Sequence, residues 1–229
     1  MSASPRYAVY WAPDADHPLW KAGCEWLGRD AASGWSAAHP REHAGEPRRY
    51  GFHATLKAPM RLREGVSVQD FFGAVSRLAS SNASFAMPQL EVTTLRSFVA
   101  LRPAAPIDAA HPLRQLADAC VRELDALRRP PTDEERAQRL QSMAFDAVER
   151  ANIEDFGYAF AFDRWQFHMT LSDSFADADG TWRDRLMTEA RQHFAHALAA
   201  PLRCTGLSVF VEPSPCSPFQ LVRRLPLGE

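Results

Sequence analysis

Residues 48–57 read RRYGFHATLK, and residues 164–172 repeat much of that pattern as RWQFHMTLS. In both segments apolar and polar side chains alternate, which is the period-two pattern of a strand with one buried face. Residues two apart on a strand lie roughly 6 to 7 Å apart on the same face, so an imidazole and a hydroxyl at this spacing are able to contact one small anion. The polar faces carry four residues of matching type, namely His53, Thr55, His168 and Thr170.

A single His-x-Thr triplet occurs in many ordinary half-buried strands and carries little functional information. Two copies are more informative here, because each has an aromatic residue before the histidine and a leucine after the threonine. Each copy is also followed by a predicted helix and then by predicted strands at similar intervals. This internal repeat predicts one site built from both motifs, with the two histidines facing each other.

The rest of the chain predicts a mixture of helices and strands. Runs of branched and aromatic residues favour strands, whereas apolar residues at spacings of three and four favour helices. Ser67, with Asp70 three residues later, has the pattern of a helix start, and Thr181 is expected to begin another helix. Gly28 is expected to end the first helix. The predicted strands are residues 6–13, 48–57, 89–101 (bent or paired around Arg96), 156–162, 164–172, 202–211 and 219–225, and the predicted helices are residues 16–28, 67–80, 113–127, 132–153 and 181–198.

We therefore expect an α+β fold in which residues 1–229 form a single bilobal domain. Two lobes related by a pseudo-twofold axis would each contain an antiparallel sheet with helices on its outer face, around a central cleft. The lobe halves are expected at roughly residues 1–105 and 155–229, with a helical insertion at roughly residues 108–154. Residues 30–48 show no periodicity and predict a long loop, of a length often found in functional lids.

Composition restricts the class of protein. The net charge of -2 and the pI near 6.4 lack the electrostatic footprint of a protein that binds duplex nucleic acid. The four cysteines show no Cys-x-x-Cys spacing and are expected to be free thiols in a reducing cytosol. No apolar run approaches the length of a membrane helix, and the first residues lack a secretory core. We expect a soluble, cytoplasmic protein, a monomer rather than an oligomer, without a membrane or duplex partner.

Three segments resemble a known group of proteins. They are WLGRD at 26–30, RYGFHATLKAP at 49–59 and FHMTL at 167–171. Together they resemble the two-histidine (2H) phosphoesterase superfamily, which includes RNA-ligase-like cyclic phosphodiesterases, and more narrowly a branch labelled as phosphonate-metabolism proteins. The resemblance covers nearly the whole chain, and both superfamily motifs are intact. It implies hydrolysis or transfer at a phosphodiester, often a cyclic one, without a metal or another cofactor.

The residue types suit this chemistry independently of the resemblance. A histidine has an ordinary pKa near 6.5, so one imidazole is able to take a proton from water while another gives one to the leaving alkoxide. The threonine hydroxyls would donate hydrogen bonds to the non-bridging phosphate oxygens. The sequence leaves open which histidine is the base. We expect the catalytic residues to be His53, Thr55, His168 and Thr170.

Three further residues share the parity of the predicted cleft-facing side chains. Lys57, Arg49 and Gln166 are therefore predicted to bind substrate, although a solvated lysine at the end of a strand is an equally good interpretation of Lys57. Tyr50 has the opposite parity and is predicted to lie in the core.

Other functions remain open from the residues alone. A protein that binds a nucleotide or an RNA end without catalysis would use the same cleft, and turnover of a cyclic phosphate would distinguish the two. A metallohydrolase would need acidic ligands beside the histidines. His193 and His196 have helical spacing but no acidic residue that completes a metal set, so we expect an exposed helix face and no metal site. Arg128 and Arg129 are predicted to face a helix dipole rather than a phosphate. The expected partner is a small phosphate ester, either nucleotide-like or ribose-phosphate-like.

Overall fold

The computed structural model describes residues 4–141, 144–175 and 180–228. Seven of its strands form one antiparallel sheet in the order β4-β5-β6-β2-β1-β8-β9, and two short strands, β3 and β7, form a separate ladder. The strands are β1 (Arg6–Trp11), β2 (Ala54–Met60), β3 (Phe85–Ala86), β4 (Leu90–Leu95), β5 (Phe98–Pro103), β6 (Met169–Thr170), β7 (Arg203–Cys204), β8 (Gly206–Glu212) and β9 (Gln220–Pro226).

Helices flank this sheet. They are α1 (Pro18–Leu27), α2 (Gly45–Tyr50), α3 (Val68–Ser80), α4 (Pro112–Leu124), α5 (Asp133–Gln141), α6 (Ala147–Phe156) and α7 (Gly180–Ala199), with 3-10 turns at Asp125–Leu127 and Phe162–Arg164. Among the residues described, none of these helices is both long enough and apolar enough to cross a membrane.

The sheet consists of two parts that meet at the two motifs. Strands β2, β1, β8 and β9 form one part, against which α3 and α4 pack, whereas β6, β5 and β4 form the other, covered by α7 with α1 beside it. A single registered pair, Ala54 with Met169, joins the two parts. The expected α+β class, with antiparallel strands and helices arranged in two lobes, is confirmed.

The strand order mixes the two ends of the chain. The first strand, β1, pairs with β8 near the C-terminal end, and β5 pairs with β6 from beyond the middle helices. The expected halves at roughly residues 1–105 and 155–229 therefore do not coincide with the two parts of the sheet, since each half contributes strands to both. A repeat along the sequence shows which segments are alike, but pairing depends on which strand edges meet when the apolar faces are buried.

Helix ends follow the expected capping residues at several positions. Ser67 and Asp70 form a reciprocal capping box at the start of α3, and Gly28 ends α1 in the left-handed region with φ 64°. The predicted strand 89–101 is a hairpin whose turn contains Arg96 with φ 53°. These signals are read correctly from sequence because a cap satisfies backbone groups within one turn of itself.

Four element predictions are wrong. Residues 48–50 lie in α2 rather than in a strand, residues 157–161 form no strand, and only residues 169–170 of the predicted strand 164–172 pair in the sheet. In these three segments short alternation was equally compatible with a helix or a loop. The predicted helix 132–153 is instead two helices, α5 and α6, because residues 144–146 are not helical. Thr181, the predicted cap of the last helix, lies inside the first turn of α7.

Strand β1, an interior strand of the sheet, is buried on both faces, as residues 7–11 show. One face packs against the helix layer, and the other contributes the floor of the cleft between the lobes. All four cysteines are free thiols, and three of them are buried.

Candidate active site

Both His-x-Thr motifs line one cleft of about 490 Å³ where the two parts of the sheet meet. Their four side chains are each half-buried, whereas the residues between and beside them are buried. The structure therefore brings together the four residues predicted to be catalytic, which are His53, Thr55, His168 and Thr170.

The strand register explains how these four side chains meet. One step to either side of the antiparallel pair of Ala54 and Met169 places His53 opposite Thr170, and Thr55 opposite His168. Facing residues on adjacent strands have Cβ atoms roughly 4.5 to 5.5 Å apart, and diagonal neighbours are roughly 7 to 8 Å apart. The two imidazoles thus occupy one diagonal of a square and the two hydroxyls occupy the other.

The two imidazoles are oriented in the same way by their own backbone. His53 Nδ1 lies 2.9 Å from the carbonyl oxygen of Gly51, and His168 Nδ1 lies 2.8 Å from that of Gln166. A carbonyl oxygen only accepts hydrogen bonds, so each Nδ1 carries the proton and each neutral ring has its lone pair on Nε2. The Thr55 hydroxyl lies 3.3 Å from His53 Nε2 and is placed to donate to that lone pair.

Burial keeps both rings neutral. It lowers the pKa of His53 to about 4, with a smaller lowering contribution from His168 and an opposing one from the hydrogen bond to Gly51. The Tyr10 ring stacks on His53 at a centroid distance of 3.7 Å and removes water from that face. Burial also lowers the pKa of His168, and the charges of Arg102 and Arg96 act in the same direction.

Helix α2 delivers the first motif to the cleft. Asp173, three residues beyond Thr170, accepts hydrogen bonds from Gly45 N and Glu46 N at the start of this helix. The buried Arg29 guanidinium donates to the carbonyl oxygens of Arg48 and Arg49 at its end. The second motif thus helps to hold the segment that carries the first.

Gly51 connects α2 to β2 and cannot be replaced easily. Its φ is 87°, and a Cβ atom there would lie 2.9 Å from the Cβ of Ala31. Both the left-handed backbone and the close approach favour glycine. This turn ends the helix, and it also provides the carbonyl that orients His53.

Aromatic side chains form the walls of the cleft. Tyr50 lines it and stacks on Phe219 at 4.9 Å, so the expectation that Tyr50 lies in the core is wrong. Tyr158 lines another side, on a loop held by Asn152, whose Nδ2 donates to the carbonyl oxygens of Ala159 and Ala161. Asn152 belongs to the predicted helical insertion, which thus helps to position a loop that lines the cleft.

Lys57 does not face the cleft. It is 3% exposed and forms an ion pair of 2.6 Å with Asp125, on the side of the sheet covered by α4. A β-bulge is the cause: Thr55 faces Tyr10 and Lys57 faces Val9, so two residues of β2 oppose one step of β1 and the alternation of faces reverses. The prediction that Lys57 binds substrate is therefore wrong, and so is the alternative that it is a solvated lysine at the end of a strand.

The other two predicted substrate ligands also lie outside the lining of this cleft. Arg49 pairs with Glu212 at 3.0 Å and with Glu46 at 3.1 Å. Gln166 accepts a hydrogen bond from Arg102 and lines a separate cavity. Parity along a predicted strand failed for both, because residue 49 is helical and residue 166 precedes the short strand β6.

The remaining histidines have structural roles or exposed positions. His17 and His111 cap α1 and α4, and His193 contacts the carbonyl oxygen of Ala22 at 2.8 Å. His196 is exposed, as expected, but His193 is half-buried. Within residues 4–141, 144–175 and 180–228, no group of three or more His, Cys, Asp or Glu side chains is placed to hold a metal ion.

The site also contains residues that sequence reasoning missed. Tyr10, Tyr158 and Phe98 line the cleft, and Asp173 lines it while capping α2. Tyr10 belongs to a strand that was predicted correctly, but only the register between β1 and β2 shows that its ring lies under His53. Tyr158 had no signal, because it lies on an irregular loop.

The sequence profile of one family, described as protein of unknown function (DUF1045), matches residues 55–220. This chain belongs to the DUF1045 family. The matched range contains Thr55 and the whole second motif, and His53 lies two residues before it.

Two curated relatives of the DUF1045 chain are named ribose 1,5-bisphosphate phosphokinase PhnN. They come from Janthinobacterium sp. (strain Marseille) and Laribacter hongkongensis (strain HLHK9), and each is 35% identical to it. The alignments cover 97% and 95% of the chain but 51% of each relative. The chain thus spans about half the length of the curated relatives it matches.

Solved structures with a similar course of the chain include E. coli LigT in complex with NADP+, at a TM-score of 0.45 and 14% identity over 99% of the DUF1045 chain and 100% of LigT. A second, described as a phosphoesterase, has a TM-score of 0.44 and 15% identity over 99% and 100%. Usb1 of Kluyveromyces marxianus has a TM-score of 0.38 and 10% identity over 97% of both chains.

Proposed function

We propose that this protein is a metal-independent phosphodiesterase that opens a cyclic phosphodiester on a small nucleotide-like or ribose-phosphate-like substrate. One observation supports this most strongly: two His-Thr pairs from different parts of the sheet line one cleft, and the hydrogen bonds of both Nδ1 atoms leave both imidazole Nε2 atoms unprotonated. Two imidazoles supply a base and an acid, and two hydroxyls supply donors for the non-bridging oxygens.

The proposed reaction is a displacement at phosphorus. One histidine Nε2 takes a proton from water as the water oxygen forms a bond to phosphorus. The bond from phosphorus to one ring oxygen breaks, and the protonated Nε2 of the other histidine gives that alkoxide its proton. The product is a phosphomonoester, and the two histidines have exchanged protonation states. Thr55 and Thr170 hold the charge that develops on the non-bridging oxygens.

The surroundings of the two rings favour His53 as the base. Its pKa of about 4 keeps it neutral at physiological pH, and the stacked Tyr10 ring excludes water from it. His168 would then be the acid. A bound phosphodiester brings a negative charge beside it and thereby raises its pKa, so the ring gains its proton with the substrate.

Purified protein incubated with a panel of cyclic phosphodiesters in the presence of EDTA tests the proposal. The panel includes 2′,3′-cyclic nucleotides and cyclic ribose phosphates, the latter because the resembling branch is labelled with phosphonate metabolism and the curated relatives are named for a ribose bisphosphate. We expect a phosphomonoester product that survives chelation. Loss of turnover on chelation, restored by one divalent metal, would indicate a metallohydrolase instead.

A nucleotide or RNA-end binding protein of the same fold is the alternative. It predicts saturable binding of cyclic nucleotides in calorimetry with no phosphomonoester formed at any pH. Binding alone would thus contradict the enzymatic proposal, and the His53→Ala variant would then retain the affinity.

A further inference from the structure

A second groove continues from the His-Thr cleft. Its volume is about 820 Å³, and it shares four lining residues with that cleft, namely Glu46, Tyr50, Ala58 and Pro59. The shared residues show that the groove and the His-Thr cleft adjoin along β2. Four arginines line it: Arg6, Arg61, Arg128 and Arg129.

Two of these arginines converge on one carboxylate. Arg61 Nη1 lies 3.2 Å from Glu135 Oε1, and Arg129 Nη2 lies 2.7 and 2.8 Å from its two oxygens. The backbone N–H of Thr132 donates to the same carboxylate at 3.0 Å. Two guanidinium groups and a backbone N–H around a single anion are a donor set that a phosphate group also takes.

The other cations that line the groove are paired with carboxylates. Arg6 and Arg49 are balanced by Glu212 and Glu46, and Arg128 shares Asp125 with Lys57, which is buried outside the groove. Arg61 and Arg129 share the single charge of Glu135, so this set carries one positive charge in excess where it faces the groove. Each of the three side chains is between a quarter and two-fifths exposed.

The spacing along β2 separates this set from the site of reaction. Arg61 follows β2 directly and lies six residues beyond Thr55, which corresponds to about 20 Å of extended chain. A phosphate held there is too distant to be the one that reacts between His53 and His168.

We propose that Arg61 and Arg129 form an anion subsite for a second phosphate group of the substrate, with the Glu135 carboxylate occupying that subsite when it is empty. The substrate class is accordingly an extended phosphodiester that carries a further, terminal phosphate up to about 20 Å from the scissile bond. This inference deepens the proposed function and rests on it, since it names the substrate that the His-Thr cleft takes.

A length series tests the subsite. Oligonucleotides of one to four units that end in a 2′,3′-cyclic phosphate are prepared with and without a 5′-phosphate, and KM is measured for each pair. For at least one length we expect the 5′-phosphate to lower KM by roughly tenfold, the effect of one charge-assisted contact. The double variant R61M/R129M loses this advantage but keeps the rate on the unphosphorylated substrates. Glu135→Gln increases it, because the amide no longer competes as an anion.

Arg136→Met is the matched control. Arg136 lies on α5, the helix of Glu135, and pairs with Asp133 rather than with Glu135, so its loss removes one arginine charge near the groove without touching the subsite, and the single variants R61M and R129M are compared with it. The 5′-phosphate advantage should survive in this variant. Equal KM values with and without the 5′-phosphate at every length, or an advantage that persists in R61M/R129M, would overturn the inference.

Failure of the proposed function has a different signature. If no cyclic phosphate turns over, the affinities of the corresponding 3′-phosphate oligonucleotides, measured by calorimetry, still report the subsite. Tighter binding of the 5′-phosphorylated members that disappears in R61M/R129M then supports the anion subsite in a protein that is not the proposed enzyme. Equal affinities overturn the subsite as well.

Discussion

The two motifs are alike in sequence and backbone but differ in their surroundings. In each, the histidine Nδ1 donates to the carbonyl oxygen two residues earlier, so the chain itself sets the ring orientation. His53 is stacked on Tyr10 at 3.7 Å, whereas His168 has the tilted ring of Phe98 at 5.8 Å and two arginine charges nearby. A repeated motif thus gives two rings of similar orientation, and neighbouring strands give them different surroundings.

The segments after the motifs differ as well. The first motif continues into a bulge that turns Lys57 into the protein. The second continues into Ser172, whose hydroxyl accepts a hydrogen bond from Val99 N. The repeat therefore extends over the His-x-Thr unit and not over its continuation, which is why predictions carried over by parity succeeded inside the motif and failed beyond it.

The largest expected effect is removal of either imidazole. His53→Ala and His168→Ala should each lower kcat/KM on a cyclic phosphodiester by about 10² to 10⁴-fold, the usual contribution of a general acid or base. The double variant should lose less than the product of the two if both act in one step. His193→Ala is the control for removing a half-buried histidine. A near-wild-type rate in His168→Ala would show that the second motif is only a strand without a catalytic role.

Removal of either hydroxyl should have the next largest effect. Thr55→Val and Thr170→Val keep the shape of the side chain and remove a donor to the non-bridging oxygens, so kcat should fall by about ten- to a thousandfold. The pH profile should keep its form, because a hydroxyl does not titrate in this range. Thr93→Val, a half-buried threonine on β4 outside the cleft, is the control. A changed pH profile in Thr55→Val would mean that the hydroxyl acts through His53 Nε2.

The ion pair of Lys57 and Asp125 lies beyond the first motif, and we expect it to contribute to stability rather than to substrate binding. Asp125→Ala leaves a buried ammonium without its partner and should reduce the free energy of unfolding by about 3 to 5 kcal/mol. Lys57→Met replaces the ammonium with an apolar chain and should cost less. Thermal and urea unfolding measure both, and KM should be unchanged in each. A severalfold rise in KM for a stable Lys57→Met variant would show that Lys57 contributes to substrate binding after all.

The pH dependence of kcat/KM should report the lowered pKa values of both rings. The free enzyme needs a neutral base and a protonated acid, and the pKa of His53 is about 4 while that of His168 lies below its ordinary value of about 6.5. The bell should therefore have its maximum below pH 6.5, with limbs that belong to the pair. A maximum at or above pH 8 would contradict the burial of the two rings.

The smallest expected effect concerns stability in acid. In the unfolded chain His53 is protonated below about pH 6.5, whereas in the folded protein its ring stays neutral down to about pH 4. The unfolded state therefore binds more protons in this window, and the free energy of unfolding falls as the pH is lowered through it. His53→Gln should flatten the decrease in Tm between pH 6.5 and 4. An unchanged slope would show that other groups cause it.

Local signals were sufficient for much of the fold. The capping box at Ser67, the glycine at position 28 and the hairpin turn at Arg96 were all predicted, because each depends on groups within a few residues. The wrong predictions cluster where alternation was short, as at residues 48–50 and 157–161, and where a bulge reversed the faces of β2. Neither kind of event leaves a local signal.

The sequence by itself determined that the chain is α+β and that two His-x-Thr units share an apolar-polar strand pattern, and it predicted that both units line one cleft. Only the tertiary structure decided that Tyr10 lies under His53, that Lys57 pairs with Asp125, and that the groove beyond the cleft contains two arginines around Glu135. The reason is physical. Strand periodicity and capping act over a few residues, whereas register, bulges and the desolvation of a titratable ring depend on contacts between segments that are distant in the chain.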